Sequence, residues 1–273
     1  MSSGTSAPLH FVEHGTGTPV LALHGWTPDH RLMLGCLEPV FARRDGYRRL
    51  YPDLPGMGKS EAPPSVTSAG DLLDAVLAFV DDVLGDEPFL LAGESYGGYL
   101  ARALVGLRPE RVLGLALICP VADRLGATER TLPERRVLRP DPGLLASADP
   151  RLAAEFAEMA VVQTPETLRR FRDEIMVGLD CADAAALERI GSNRWLDPEP
   201  SESRSFDRPT VVIAGRQDHV VGYEDAFALL AHYPRASYAV LDVAGHNAQF
   251  EQPELFDALM LEWLDRVAAE PFR

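Results

Sequence analysis

The sequence predicts an α/β protein with a doubly wound, mostly parallel sheet and an inserted helical segment. Short apolar runs alternate with segments of helical periodicity through residues 1–120 and again from about residue 208. This alternation is typical of a parallel sheet with helices on both faces. Residues 121–207 lack a convincing strand and are rich in proline, arginine and aspartate. We therefore expect a core built from residues 1–120 and 208–273, and a helical cap over residues 121–207.

The first part of the chain contains five predicted strands. In chain order they are residues 9–14, 20–23, 47–51, 89–92 and 112–119. The first alternates only weakly and is expected at a sheet edge, whereas continuous apolar runs such as residues 20–23 indicate strands covered on both faces. Helices are expected at about residues 29–43, 68–83 and 99–107, and Ser68 is the predicted N-cap of the second.

The predicted cap begins two helices with the same signal. Asp149-Pro150 and Thr164-Pro165 each place a capping side chain before a proline that can occupy the first helical position. Apolar residues follow both signals at helical spacing. A third, weaker helix is expected at about residues 183–190.

The strand–helix alternation resumes after the cap. Strands are predicted at residues 210–215 and 237–243, with helices at about 224–232 and 253–267. The inner side of the last helix is expected to carry Leu255, Leu259, Trp263 and Val267.

A serine lies between a predicted strand and a predicted helix, in Gly93-Glu94-Ser95-Tyr96-Gly97. A serine that must project from a tight strand-to-helix turn leaves no room for side chains two residues away, which explains Gly93 and Gly97. The helix that follows directs its free N–H groups toward the place where an oxyanion would form.

A nucleophilic serine needs a base, and the base needs an orienting acid. In open parallel sheets the functional residues follow the carboxyl ends of the strands. His246 follows the strand predicted at residues 237–243, and Asp218 follows the strand predicted at residues 210–215. Asp123, after an earlier strand, is the alternative acid.

Together these motifs resemble the α/β-hydrolase superfamily, and the resemblance covers nearly the whole chain. The matching segments are His24-Gly25-Trp26, residues 53–60, residues 93–97, residues 215–218 and Gly245-His246. The resemblance implies that Ser95 is the nucleophile, His246 the base and Asp218 the acid. It also implies an oxyanion hole formed by the backbone N–H groups of Trp26 and Tyr96.

The resemblance implies a serine hydrolase that cleaves a small carboxylic ester, thioester or lactone through an acyl-enzyme. The alternatives are a carbon–carbon bond hydrolase acting on a dioxo acid, an aminopeptidase, and a hydrolase-like receptor that binds a ligand. Ser95 excludes the usual dehalogenase and epoxide hydrolase reactions, which resemble this fold but use an aspartate nucleophile. Glu94 is a departure, because many members carry histidine or another polar residue there.

The charge and composition of the chain argue against several classes of partner and cofactor. The formal net charge of −15 argues against binding to nucleic acid or to an anionic membrane, and a small-molecule substrate is expected. Cys36, Cys119 and Cys181 lack metal-ligand or disulfide spacing, so neither a metal nor a cofactor is expected. Because the N-terminus lacks a signal-peptide pattern and no apolar run could span a bilayer, we expect a cytoplasmic, soluble protein. No oligomeric state is predicted.

Overall fold

Seven strands form one sheet within the residues that the computed structural model describes, 8–122, 130–200 and 205–270. In chain order they are β1 (Phe11–Gly15), β2 (Thr18–Leu23), β3 (Tyr47–Pro52), β4 (Phe89–Glu94), β5 (Val112–Ile118), β6 (Thr210–Gly215) and β7 (Ala236–Leu241). Across the sheet the order is β1-β3-β2-β4-β5-β6-β7. β1 is antiparallel to β3, and the other neighbouring pairs are parallel. The predicted fold class is confirmed.

Helices connect the strands and cover both faces of the sheet. In chain order the described α-helices are α1 (His30–Phe41), α2 (Ala69–Phe79), α3 (Tyr96–Leu107), α4 (Pro142–Ser147), α5 (Pro150–Met159), α6 (Pro165–Phe171), α7 (Val177–Cys181), α8 (Ala184–Gly191), α9 (Glu224–Ala228), α10 (Ala248–Glu251) and α11 (Pro253–Ala268). Wider helical turns at Val80–Leu84 and Arg172–Met176 extend α2 and join α6 to α7. None of the helices described in these ranges is both long and apolar enough to cross a membrane.

The N-terminal caps predicted for three helices are present in the structure. The Ser68 side chain accepts a hydrogen bond from the backbone N–H of Asp71. Asp149 and Thr164 cap α5 and α6 in the same manner, each with a proline in the first turn. Asp141 caps α4 before Pro142. That helix is absent from the sequence prediction, although its start carries the same signal.

The apolar face of α11 differs from the prediction. Leu255 is 52% exposed, and the buried residues of the helix are Phe256, Met260, Leu261, Trp263 and Leu264. The predicted set repeats at a strict spacing of four residues, which advances about 40° around a helix at each step and cannot remain on one face. The other three predicted residues do face the core: Trp263 is fully buried, and Leu259 and Val267 are partly buried against it. Nε1–H of Trp263 donates to the carbonyl oxygen of Pro209 at 3.0 Å.

The helices between β5 and β6 lie over the carboxyl-terminal edge of the sheet. Phe156, Phe171 and Ile175 pack with Leu32 of α1 and Phe250 of α10 in a second apolar cluster, separate from the main core. This packing places α5 and α6 beside the loops that follow β4, β6 and β7. The boundaries of the cap at residues 121 and 207 remain a prediction.

Candidate active site

Ser95 occupies a strained turn between β4 and α3. Its φ of 51° and ψ of −117° lie outside the regions that non-glycine residues normally adopt. A Cβ on Gly93 would lie 2.5 Å from the carbonyl oxygen of Gly97, and a Cβ on Gly97 would overlap the carbonyl oxygen of Leu23. The two glycines therefore allow the turn to pack directly against the end of β2.

Three predicted residues converge in one hydrogen-bonded chain. Nε2 of His246 lies 3.0 Å from Oγ of Ser95, and Nδ1 lies 2.9 Å from Oδ2 of Asp218. The other carboxylate oxygen of Asp218 accepts from the backbone N–H groups of Val220 and Val221. Asp218 is completely buried, and the acceptor-only carboxylate keeps the proton on Nδ1, which leaves Nε2 free to accept. Asp123, the alternative acid, lies outside the described residues.

The loop that carries His246 is fixed by a carboxylate that sequence reasoning missed. Glu251 of α10 accepts from the backbone N–H of Gly245 at 2.6 Å, and its other oxygen accepts from Val161 at 2.6 Å and from Val162 at 3.1 Å. Burial raises the pKa of Glu251 to about 7, although the three hydrogen bonds oppose that shift. Glu251 thus joins the His246 loop to the connection between α5 and α6.

Trp26 and Tyr96 both line the space in front of Ser95. Their rings meet edge to face, with the centroids 5.2 Å apart. Within the described ranges, no protein oxygen accepts from the backbone N–H of either residue. Their assignment to an oxyanion hole stays a prediction.

His24 shapes the loop that contains Trp26. Its Nδ1 lies 2.8 Å from the carbonyl oxygen of Gly25, and its Nε2 accepts from the backbone N–H of Leu54 at 2.9 Å. Burial lowers the pKa of His24, which favours the neutral ring. Because both ring nitrogens are engaged in hydrogen bonds, His24 has a structural role in this loop.

Glu94 places a second carboxylate beside His246. Its Oε1 lies 3.4 Å from Nε2, and the side chain is almost fully buried. Burial raises the pKa of Glu94 to about 7, against the opposing effect of His246. Burial lowers the pKa of His246, but the carboxylates of Asp218, Glu94 and Glu251 outweigh it and raise that pKa to about 9.

A cavity of about 420 Å³ opens in front of Ser95 and His246. The helices between β5 and β6 contribute Met159, Phe171, Ile175 and Leu179 to its apolar wall. Arg130 and Arg194 also line it, and their guanidinium carbons lie 5.7 Å and 5.1 Å from the ring centroid of Trp195. The cavity combines a reactive hydroxyl, an apolar wall, these two cations and the carboxylates of Glu94 and Glu155.

A second polar cluster lies in the loop after β3. Nδ1 of His10 and Nδ1 of His30 lie 2.8 Å and 2.7 Å from the two carboxylate oxygens of Asp53. The same oxygens accept from the backbone N–H groups of Lys59 and His30. These atoms are of the kind that bind metals, but hydrogen bonds already occupy the Asp53 oxygens, so the cluster serves to fold the loop.

The chain is similar to known proteins in sequence and in fold. The sequence model of a family described as alpha/beta hydrolase fold matches residues 18–253. A 2-hydroxy-6-oxononadienedioate/2-hydroxy-6-oxononatrienedioate hydrolase of Burkholderia vietnamiensis is 32% identical, over 97% of this chain and 94% of that protein. A solved alpha/beta superfamily hydrolase from Oenococcus oeni is 26% identical with a TM-score of 0.86, over 96% of this chain and 97% of the other. A thermophilic esterase from Thermogutta terrifontis, solved with malate bound, is 28% identical with a TM-score of 0.65, over 95% of this chain and 93% of the other.

Proposed function

Because the chain belongs to the α/β-hydrolase fold family and is a hydrolase, we propose that it cleaves a carbon–carbon bond in a hydroxy-oxo dienoic acid. Ser95 is the proposed nucleophile, His246 the base and Asp218 the orienting acid. The Burkholderia relative is named for a substrate that has a ketone, an enol and two carboxylates but no ester. Hydrolysis of such a molecule must break a carbon–carbon bond. The relatives therefore favour the sequence-based alternative over the ester, thioester or lactone that the sequence analysis placed first.

The observation that carries this proposal is the pair of arginines in the cavity of Ser95. Arg130 and Arg194 flank Trp195, and Arg130 is anchored by a 3.3 Å hydrogen bond to the carbonyl oxygen of Val220. Burial and the neighbouring Arg194 lower the pKa of Arg130, so an anion placed between the two would relieve their repulsion. Arginine binds carboxylates through paired hydrogen bonds. A dicarboxylate substrate fits this arrangement better than a neutral ester does.

The proposed reaction begins when Oγ of Ser95 attacks the ketone carbon and its proton moves to Nε2 of His246. The backbone N–H groups of Trp26 and Tyr96 would hold the oxyanion, and such a donor typically contributes about 10²–10³-fold in rate. Cleavage of the carbon–carbon bond requires the keto tautomer of the substrate, in which the proton of the 2-hydroxyl group has moved to C5. The C5–C6 bond then breaks, its electron pair is delocalised into the 2-oxo acid as a dienolate, and the dienolate takes the proton from His246. Water, deprotonated by His246, then hydrolyses the acyl-Ser95 intermediate.

An ester hydrolase is the second candidate, and the esterase from Thermogutta terrifontis favours it. The apolar wall formed by Met159, Phe171 and Ile175 could accept an acyl chain. The chemistry at Ser95 would be the same, with an alcohol as the leaving group.

Kinetics on two substrates test the proposal. We expect kcat/KM for 2-hydroxy-6-oxononadienedioate to exceed that for p-nitrophenyl acetate by about tenfold or more, which corresponds to about 1.4 kcal/mol of transition-state preference. Turnover of the ester without turnover of the dioate would contradict the carbon–carbon assignment and support the second candidate. Ser95→Ala should abolish both activities, whereas Ser147→Ala, on the exposed helix α4, should leave them unchanged.

A further inference from the structure

Glu94 lies against the nitrogen that would receive the serine proton. We propose that Glu94 is a further catalytic residue, whose carboxylate stabilises the His246 imidazolium from the Nε2 side while Asp218 stabilises it from the Nδ1 side. The inference rests on the proposed Ser95–His246 mechanism. Oε1 of Glu94 is 3.4 Å from Nε2, whereas the Asp218 carboxylate is 2.9 Å from Nδ1. The imidazole ring is therefore placed between two carboxylates.

The fit of Glu94 is specific. Gly25 leaves room for the carboxylate, because a Cβ there would overlap Oε2 of Glu94 and would lie 3.1 Å from Cβ of Ser95. The backbone of Gly25 lowers the pKa of this carboxyl, against the effect of burial. Glu94 also lines the cavity beside Ser95 and His246. The carboxylate is thus held at the site of reaction.

Several other ionisable groups lie near this pair. The described groups that act on His246 or Glu94 are Asp218, Glu251, Cys36, Cys119 and His219. Glu251 acts on His246 more weakly than Glu94 does. Burial raises the pKa of Cys119 well above its ordinary value, which keeps that thiol neutral. Among the side chains described around His246, Asp218 and Glu94 are thus the dominant charges.

The charge of Glu94 has opposite effects on two developing charges. As the serine proton reaches Nε2, a positive charge forms 3.4 Å from Oε1 of Glu94. The oxyanion forms beyond Ser95 Oγ, toward Trp26 and Tyr96. Coulomb energy falls with distance, so the attraction to the imidazolium exceeds the repulsion of the oxyanion if the oxyanion forms farther than 3.4 Å from Oε1. The ionised Glu94 therefore makes His246 a stronger base.

A stronger base is useful only when it is unprotonated. An opposite charge at this distance typically changes a pKa by about 1 or more, so removing it should lower the pKa of His246 by at least that amount. By Brønsted behaviour with a coefficient near one half, a fall of about 1 slows the fully deprotonated enzyme about threefold. The same fall gives about ten times more neutral His246 in acid, so the variant should be about threefold faster there. The two pH–rate profiles should cross.

The rate of labelling by a fluorophosphonate gives these pH–rate profiles and does not require the natural substrate. Oγ of Ser95 attacks phosphorus, the P–F bond breaks, fluoride leaves, and the serine proton moves to His246. The second-order rate constant would be measured from about pH 6 to pH 10.5, a range that brackets the ordinary and raised pKa of His246. The proteins compared would be the wild type, Glu94→Gln, Glu94→Asp and Glu166→Gln. Circular dichroism would establish that each variant is folded.

We expect Glu94→Gln to label about threefold slower than the wild type at high pH and up to about threefold faster near pH 8, where Glu94 is ionised and His246 is still protonated. The rising part of its pH–rate profile should move to lower pH. Glu94→Asp retains the charge, so the rising part of its pH–rate profile should stay close to that of the wild type. Glu166→Gln removes an exposed carboxylate of α6 and should not change the profile. Uniformly slower labelling by Glu94→Gln, or a profile equal to that of the wild type, would overturn the role of Glu94. A wild type that is not labelled at Ser95 would instead overturn the proposed nucleophile.

Discussion

Oε2 of Glu251 accepts a 2.6 Å hydrogen bond from the backbone N–H of Gly245, the residue immediately before His246. The other carboxylate oxygen accepts from Val161 and Val162, in the connection between α5 and α6. One buried side chain therefore holds both the loop of the proposed base and the helices that line the cavity. A displacement of either is transmitted to the other through three hydrogen bonds.

Glu251→Gln should weaken this connection. An amide retains one acceptor oxygen, but its NH₂ group would face a backbone N–H, so at least one buried donor loses its partner. Such a loss typically costs about 1–3 kcal/mol. We expect that loss in the free energy of unfolding in urea, together with a lower kcat and a smaller change in KM. Glu254→Gln, on the exposed start of α11, is the matched control. Equal stability of the two variants would show that the three hydrogen bonds contribute little.

The pH dependence of the wild type follows from the raised pKa of His246. A histidine acts as a base only after losing its proton, and the surrounding carboxylates retain that proton up to a pKa of about 9. We therefore expect kcat/KM to rise about tenfold per pH unit below that pKa and to level off above it. With an ordinary histidine pKa the enzyme would lose activity only in mild acid. The surrounding carboxylates instead move the rise in activity to alkaline pH. A half-maximal rate at pH 7 or below would contradict this expectation.

Gly97→Ala should destabilise the fold. The added Cβ would overlap the carbonyl oxygens of Leu23 and His24, which are backbone atoms and cannot rotate away. We expect a loss of at least about 1–3 kcal/mol in the free energy of unfolding, the range typical of overpacking in a core. Gly70→Ala is the matched control. It lies on the exposed face of α2, where the nearest atom would be 3.5 Å away, and should be neutral or slightly stabilising. Similar stability of both variants would contradict the packing argument.

Arg194→Ala should distinguish charged from neutral substrates. Loss of a charge-assisted hydrogen bond costs about 1.5–3 kcal/mol, so KM for the dioate should rise about tenfold or more. KM for p-nitrophenyl acetate should change little, because that ester carries no carboxylate. Arg172→Ala removes an exposed arginine from the same helical region and should leave both values unchanged. A parallel rise in KM for both substrates would indicate a general effect on the cavity.

Much of the site follows from strand ends in the sequence. Ser95, Asp218 and His246 each come after a predictable apolar strand, and parallel strands bring their carboxyl ends to one edge. Glu251 could not be predicted in this way, because its donors Val161 and Val162 are 90 and 89 residues away along the chain. The proximity of Glu94 to Nε2 also depends on the direction in which the side chain leaves β4, which periodicity does not specify. The predicted buried face of a helix was less accurate where a repeat of four residues was used in place of the helical repeat of 3.6 residues, as at Leu255.

The three hydrogen bonds of Glu251 also bear on how this enzyme could be re-engineered. The helices between β5 and β6 enter and leave the core without supplying Ser95, Asp218 or His246, so a chimera carrying a different helical insertion could retain the hydrolytic residues. The graft must still present two adjacent backbone N–H groups where Val161 and Val162 now present theirs. Without those groups, replacing the helical insertion would leave the Glu251 carboxylate without two of its three hydrogen-bond donors.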